Sequence, residues 1–76
     1  MRDFILEILN LVQNTIDDEV LSDELSQYHA SDIADSFDEL TDEEIRRLYD
    51  ILPSEFLADI ITYIEEKERY LDLMEN

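Results

Sequence analysis

The chain reads as an all-α protein: a right-handed superhelix of short helices with a repeat of roughly twelve residues. Three observations lead to that fold. The segments 28–39, 40–51 and 52–63 share one rhythm. Each opens on an apolar residue (Tyr28, Leu40, Leu52), carries an aliphatic residue five places later (Ile33, Ile45, Leu57) and an apolar or aromatic one nine places in (Phe37, Tyr49, Ile61). Between the opening residue and the aliphatic one sits a helix-start signal. Strand alternation is weak throughout, and glycine, which most tight hairpins need, is absent. Twelve residues are too few for a helical hairpin but enough for one short helix and a turn. Such helices cannot bury their apolar faces alone and must stack.

The elements follow in order. Phe4, Ile5, Ile8, Leu9, Leu11 and Val12 give helical periodicity over 3–14, with Asp3 placed to cap the first turn. Their apolar character wraps much of the circumference, so this helix is expected to pack on two sides. A turn at Asn14 and Thr15 leads to a helix over 18–27 carrying Val20, Leu21 and Leu25. Asp17, Asp18 and Glu19 crowd its start, where the helix dipole favours negative charge. Ser31 is expected to cap a helix over 31–39 with Ile33, Ala34 and Phe37 inward. Thr41 and Glu44 have the spacing of a capping box opening a helix over 42–51, which buries Ile45, Leu48, Tyr49 and Leu52. Pro53 suits a helix start and nothing further in. The last helix is expected over 54–74, burying Phe56, Leu57, Ile60, Ile61 and Ile64, since no breaker follows. Tyr28, Phe37, Tyr49, Phe56 and Tyr63 fall at packing positions.

Seventy-six residues make one small domain, which buries about 60% of its unfolded surface. There is no cysteine, hence no disulfide and no thiolate metal site. The missing glycines also exclude Gly-rich phosphate loops and EF-hand loops. Net charge is -17, from 22 acidic against 5 basic residues. That repels nucleic acid and anionic membrane surfaces and attracts cations and basic proteins. A hydrophobic content of 45% is ordinary for a folded domain, so the acidity does not imply disorder. No membrane segment is predicted. The stretch Phe4, Ile5, Leu6 is interrupted by Glu7 and Asn10 and reads as a helix, not a signal peptide. No nucleophile–base pair is apparent, because His29, the one histidine, has neither a cysteine nor a recognisable serine partner, so an enzyme is not expected.

The residues His29-Ala30-Ser31-Asp32-Ile33-Ala34, then Leu40-Thr41-Asp42-Glu43-Glu44, then Leu52-Pro53-Ser54-Glu55 with Ala58-Asp59 resemble the cytosolic N-terminal domain of MgtE-type magnesium transporters. That family's pattern reads roughly H-P-x-D-[IL]-A, L-x-x-E-[ED], L-P-x-E-x-A-A-E, and the likeness covers about residues 25–65. Ala30 stands where proline is usual, Leu57 replaces an alanine, and Asp59 shortens a glutamate. Beyond Glu65 the pattern departs from the family's. The resemblance implies that residues 1–76 are a single helical domain, a soluble fragment of a larger membrane transporter on the cytosolic face of the membrane. Its implied partners are the CBS domains and transmembrane domain of that transporter. Magnesium would bridge their acidic surfaces weakly and hold the pore closed when the ion is abundant.

Asp59 aligns with the acidic position used at that magnesium-bridged interface and is the leading metal candidate. Asp32 and Asp35 lie three apart on one helix face and, with Asp38 and Glu39, form an acidic edge able to hold a loosely bound magnesium with its water. The plainer alternative for each is a solvated helix surface. For His29 the expectation is capping or packing, since one histidine cannot build a zinc site. Arg46 and Arg47 are expected to pair with the acidic surplus. Tyr70, Leu71, Leu73 and Met74 suggest an uncapped apolar end and weak self-association. The competing functional reading is a free-standing acidic adaptor that binds a basic protein, or mimics nucleic-acid charge, with no metal role.

Overall fold

A computed structural model of the chain describes residues 3–65 and Glu68. In chain order the elements are α1 (Phe4–Asn14), α2 (Asp18–Leu25), α3 (Ala30–Ser36), a 3-10 turn (Phe37–Glu39), α4 (Asp42–Ile51) and α5 (Ser54–Thr62). No strand occurs among the described residues, and the class is all-α as the periodicity predicts. Helix α3 is central, packing on α1 and on α5; α2 packs on α1 and on α4.

Each start has a chemical cause. The Asp3 carboxylate accepts from the Leu6 amide at 3.1 Å. Asp17 does the same for Glu19 and Val20, at 2.9 and 3.2 Å. At α4 the capping box closes: the Glu44 amide donates to Thr41 Oγ1 at 3.2 Å and the Thr41 amide donates to the Glu44 carboxylate at 2.9 Å. These bonds occupy amides that a helix's first turn leaves unpaired. The helix ends are unusual because the chain has no glycine, and no described residue adopts positive φ. The links instead use extended residues: Thr15 and Asp17 between α1 and α2, Leu40 and Thr41 before α4, Leu52 and Pro53 before α5. Leu40 and Leu52 turn their side chains into the core while the backbone passes from one helix to the next.

The core is one cluster. Ile8, Leu21, Leu25, Ile33, Phe37, Ile45, Leu48 and Ile60 are fully buried, joined by Val12, Leu57 and Ile64. Each fully buried aliphatic side chain contributes about 1.5–3 kcal/mol relative to exposure. The aromatic residues close its edges. Tyr49 meets Phe37 edge-on with centroids 6.3 Å apart. Phe4 meets Tyr28 at 6.0 Å, and the Tyr28 hydroxyl donates to Glu7 at 3.0 Å. The buried Ser36 hydroxyl donates to the Ile33 carbonyl at 2.6 Å.

Four sequence expectations are corrected. The cap of α3 is His29, not Ser31: the Ser31 amide donates to His29 Nδ1 at 3.1 Å, and Ser31 lies inside the helix. The regular part of that helix stops at Ser36, and Phe37–Glu39 tighten into a 3-10 turn closed by the Leu40 amide on the Phe37 carbonyl. Helix α2 ends at Leu25 and not at residue 27. Helix α5 does not run on towards residue 74. It ends at Thr62, where the Thr62 hydroxyl binds the Asp59 carbonyl at 2.6 Å and the next amides bond three residues back. That tighter geometry folds Ile64 onto the core and ends the helix without a proline or glycine. The expectation about Tyr70, Leu71, Leu73 and Met74 lies outside the described residues.

Arg47 supplies a long-range tie. From α4 its guanidinium donates to the carbonyls of Val12, Thr15 and Ile16, at 3.3, 2.8 and 3.0 Å, and to the Asp18 carboxylate at 2.9 Å. It thereby meets the C-terminal end of α1, which has no basic residue in its own last turn, with a positive charge that complements the helix dipole.

Three substitutions separate these contributions. Leu48→Ala should destabilise by about 2–4 kcal/mol in chemical denaturation, since it empties a fully enclosed site. Arg47→Met should destabilise by about 2–3 kcal/mol by abandoning carbonyls that accept charged hydrogen bonds. Asp18→Asn should cost less than about 1 kcal/mol, as exposed ion pairs do. Equal losses for the last two would locate the tie in the ion pair and not in the carbonyl clamp.

Candidate functional site

The functional question centres on where the acidic surplus sits. Among the described residues every Asp except Asp32 is exposed, and every Glu except Glu7 and Glu44. Each of those three half-buried carboxylates has a structural position: Glu7 receives the Tyr28 hydroxyl, Glu44 completes the capping box, and Asp32 stands in the first turn of α3. The other carboxylates face solvent around a core that holds no ionised group, so their mutual repulsion is a surface property of the folded domain.

Asp59 lies on α5 beside the buried Ile60 and is itself exposed. Glu55, one turn earlier, is exposed on the same flank, and two like charges at that spacing repel. Asp35, one turn from Asp32 on α3, is exposed as well. Helices α3 and α5 pack together, so the three candidates belong to two neighbouring helices. Among the described residues no group of three or more Asp, Glu or His is gathered closely enough to hold an ion. Asp32, Asp35 and Asp59 therefore do not form one pocket within the chain. An ion bound to any of them would complete its shell with water or with oxygen atoms of a second surface, a coordination that magnesium favours.

His29 does both things expected of it. Its Nδ1 accepts the Ser31 amide, which requires the neutral ring to carry its proton on Nε2. Ser31 Oγ lies 2.8 Å from the same nitrogen. The ring also meets Tyr63 edge-on, with centroids 5.7 Å apart. One imidazole thus fixes the start of α3 and touches the residue that ends α5. Beside it a concavity of about 430 Å³ is lined by Phe4, Glu24, Gln27, Tyr28, His29 and Asp32. A second, of about 310 Å³, lies between α2 and the end of α4 and is lined by Asp18, Glu19, Ser22, Asp23 and Ile51. Both are lined by carboxylates.

Sequence reasoning had no means of finding the Arg47 clamp, whose acceptors are backbone carbonyls more than thirty residues away. For His29 the signal was its place two residues before Ser31, the spacing of a side chain that accepts from the second helical amide.

Fold and surface together define a class: a small, strongly acidic helical domain with its carboxylates outward. No helix among the described residues is long and apolar enough to cross a membrane. The chain belongs to the family described as the MgtE intracellular N domain, whose model matches residues 28–76. The match extends past Glu65, where the motif pattern had departed from the family's. No curated protein and no solved structure matches the chain.

The His29 cap can be tested directly. His29→Ala should lower stability by about 1 kcal/mol, and His29→Asn should recover most of it, because asparagine caps well but does not stack in the same way. Thermal melts in which both variants lose equally would assign the stabilisation to the Tyr63 contact instead.

Proposed function

We propose that this chain is the cytosolic regulatory domain of a magnesium transporter, and that magnesium controls its association with neighbouring cytosolic domains. The observation that carries the reading is the family match over residues 28–76. The outward acidic surface supports it, because two such surfaces repel until divalent cations lie between them. In this reading residues 1–76 are one helical unit of a longer transporter, beside its CBS domains and transmembrane domain. The helices stack as a right-handed superhelix with a twelve-residue repeat. The packing of α3 on both α1 and α5, with α2 on α4, supports that arrangement. So does the burial of the equivalent residues Ile33, Ile45 and Leu57.

The mechanism is electrostatic linkage. Abundant magnesium bridges carboxylates across the interface and holds the pore closed; depletion restores repulsion and releases the domain. Asp59 is the leading bridging residue, with Asp32 and Asp35 as further ligands. A coupling of about 1–3 kcal/mol changes affinity roughly 5- to 150-fold, enough to switch a gate.

The test measures association of this domain with the adjoining CBS domains as magnesium is titrated, against sodium chloride at matched ionic strength. Wild type should tighten with magnesium well beyond the sodium control, and Asp59→Asn should lose much of that gain. Equal tightening in both proteins would remove Asp59 from the ligand set. If sodium reproduces the whole effect, magnesium sensing fails and the acidic adaptor becomes the better description.

A further inference from the structure

The α1–α2 link presents an apolar side chain in a way that chain folding alone does not explain. Ile16 is 95% exposed. It stands just before Asp17, the cap of α2, at the position from which an apolar residue commonly folds back onto the fourth helical residue. Here that residue is Leu21, fully buried; Ile16 points into solvent instead. Val20, four residues further on, is 49% exposed.

This link is not a loose tip. The Thr15 and Ile16 carbonyls are both held by Arg47. The Asp17 carboxylate binds the amides of Glu19 and Val20. The backbone on either side of the Ile16 side chain is therefore fixed before any partner arrives, which removes part of the ordering cost of binding. The surroundings are mainly acidic: Asp17, Asp18 and Glu19 are exposed beside it, and the Arg47 guanidinium, its side chain 28% exposed, is engaged by the Thr15 and Ile16 carbonyls and by Asp18.

We propose that Ile16 and Val20 anchor a docking surface for a basic amphipathic helix of a partner protein, one whose apolar stripe is flanked by lysine or arginine. An aliphatic anchor within an acidic rim is complementary to an apolar stripe within a basic rim. The anchor gives affinity through burial, while the charges speed encounter and set orientation. A second copy of this chain is disfavoured as occupant, because it brings the same acidic rim. This surface is independent of the magnesium-bridged interface: it lies on the α1–α2 link, whereas Asp32, Asp35 and Asp59 lie on α3 and α5.

The probe is a synthetic helical peptide of leucine and lysine, about 18 residues or five turns long. Two controls accompany it: one with serine in place of leucine at the same charge, and one with glutamate in place of lysine. Binding to the 76-residue chain is followed by methyl and amide NMR shifts. The leucine–lysine peptide should bind and perturb Ile16 and Val20 most. The serine–lysine peptide should bind at least about tenfold more weakly, and the leucine–glutamate peptide should not bind. Ile16→Ser should weaken the leucine–lysine peptide by about tenfold. Because Ile16 lies outside the core, circular dichroism of that variant should match wild type, and Val20→Ser provides a second, independent loss. The proposal is overturned if the leucine–lysine peptide does not bind, if Ile16→Ser binds it as wild type does, or if the serine–lysine peptide binds equally well. It is also overturned if the Ile16 shifts depend on protein concentration without any peptide, since the occupant is then a second copy.

Discussion

The Arg47 guanidinium is the contact on which the arrangement of the first half of the chain depends. Helix α1 ends in carbonyls that no residue of its own last turn neutralises, and the link to α2 is three residues long, without glycine. Left alone, that end would face water and the acidic start of α2. Arg47 reaches from α4 to the Val12 carbonyl in the last turn of α1, to the Thr15 and Ile16 carbonyls of the link, and to Asp18. One planar, permanently charged group thus joins the end of α1, the link, the start of α2 and the middle of α4. A lysine has no fork with which to serve these acceptors together. The chain has five basic residues against 22 acidic ones, and one of the five is used here.

That division between fold and surface is the organising physics of the domain. The core is aliphatic and aromatic, sealed by edge contacts such as Phe37 with Tyr49. The acidic residues near helix starts, Asp3, Asp17 and Glu44, occupy amides and complement dipoles. Apart from the half-buried Glu7 and Asp32, the remaining described carboxylates are outside. An acidic protein built this way is folded by its core and its caps, while its net charge governs association. Under the proposed function, cation dependence would belong to the meeting of surfaces and not to the formation of helices.

Much of the fold was legible in the sequence because local chemistry and apolar spacing agree. Asp3, the Thr41–Glu44 box and Pro53 mark helix starts, and Ile33, Ile45 and Leu57 mark the buried face. Other features depend on tertiary context. Nothing between residues 62 and 74 breaks a helix by type, yet α5 ends at Thr62 and Ile64 is buried in the core. Ser31 is the better cap by propensity, but His29 reaches the amide and also meets Tyr63. Arg47 is one arginine among many acids until its distant carbonyl partners are known. For the candidate site the sequence supplied residue types and the family motif, and the structure supplied exposure. Asp32, Asp35 and Asp59 sit on two adjoining helices and not in a common pocket. An interface completed by another surface leaves no cluster to be found in one chain.

In the proposed function magnesium acts between surfaces, while the fold stands without it. Amide hydrogen exchange of the 76-residue chain, free of divalent ions at moderate salt and again at millimolar magnesium, measures this directly. The amides of α3, α4 and α5 should be protected in the metal-free protein, with magnesium adding no more protection than sodium chloride of equal ionic strength. Unprotected helices that become protected only with magnesium would contradict the account, because the ion would then be building the domain rather than joining it to a neighbour.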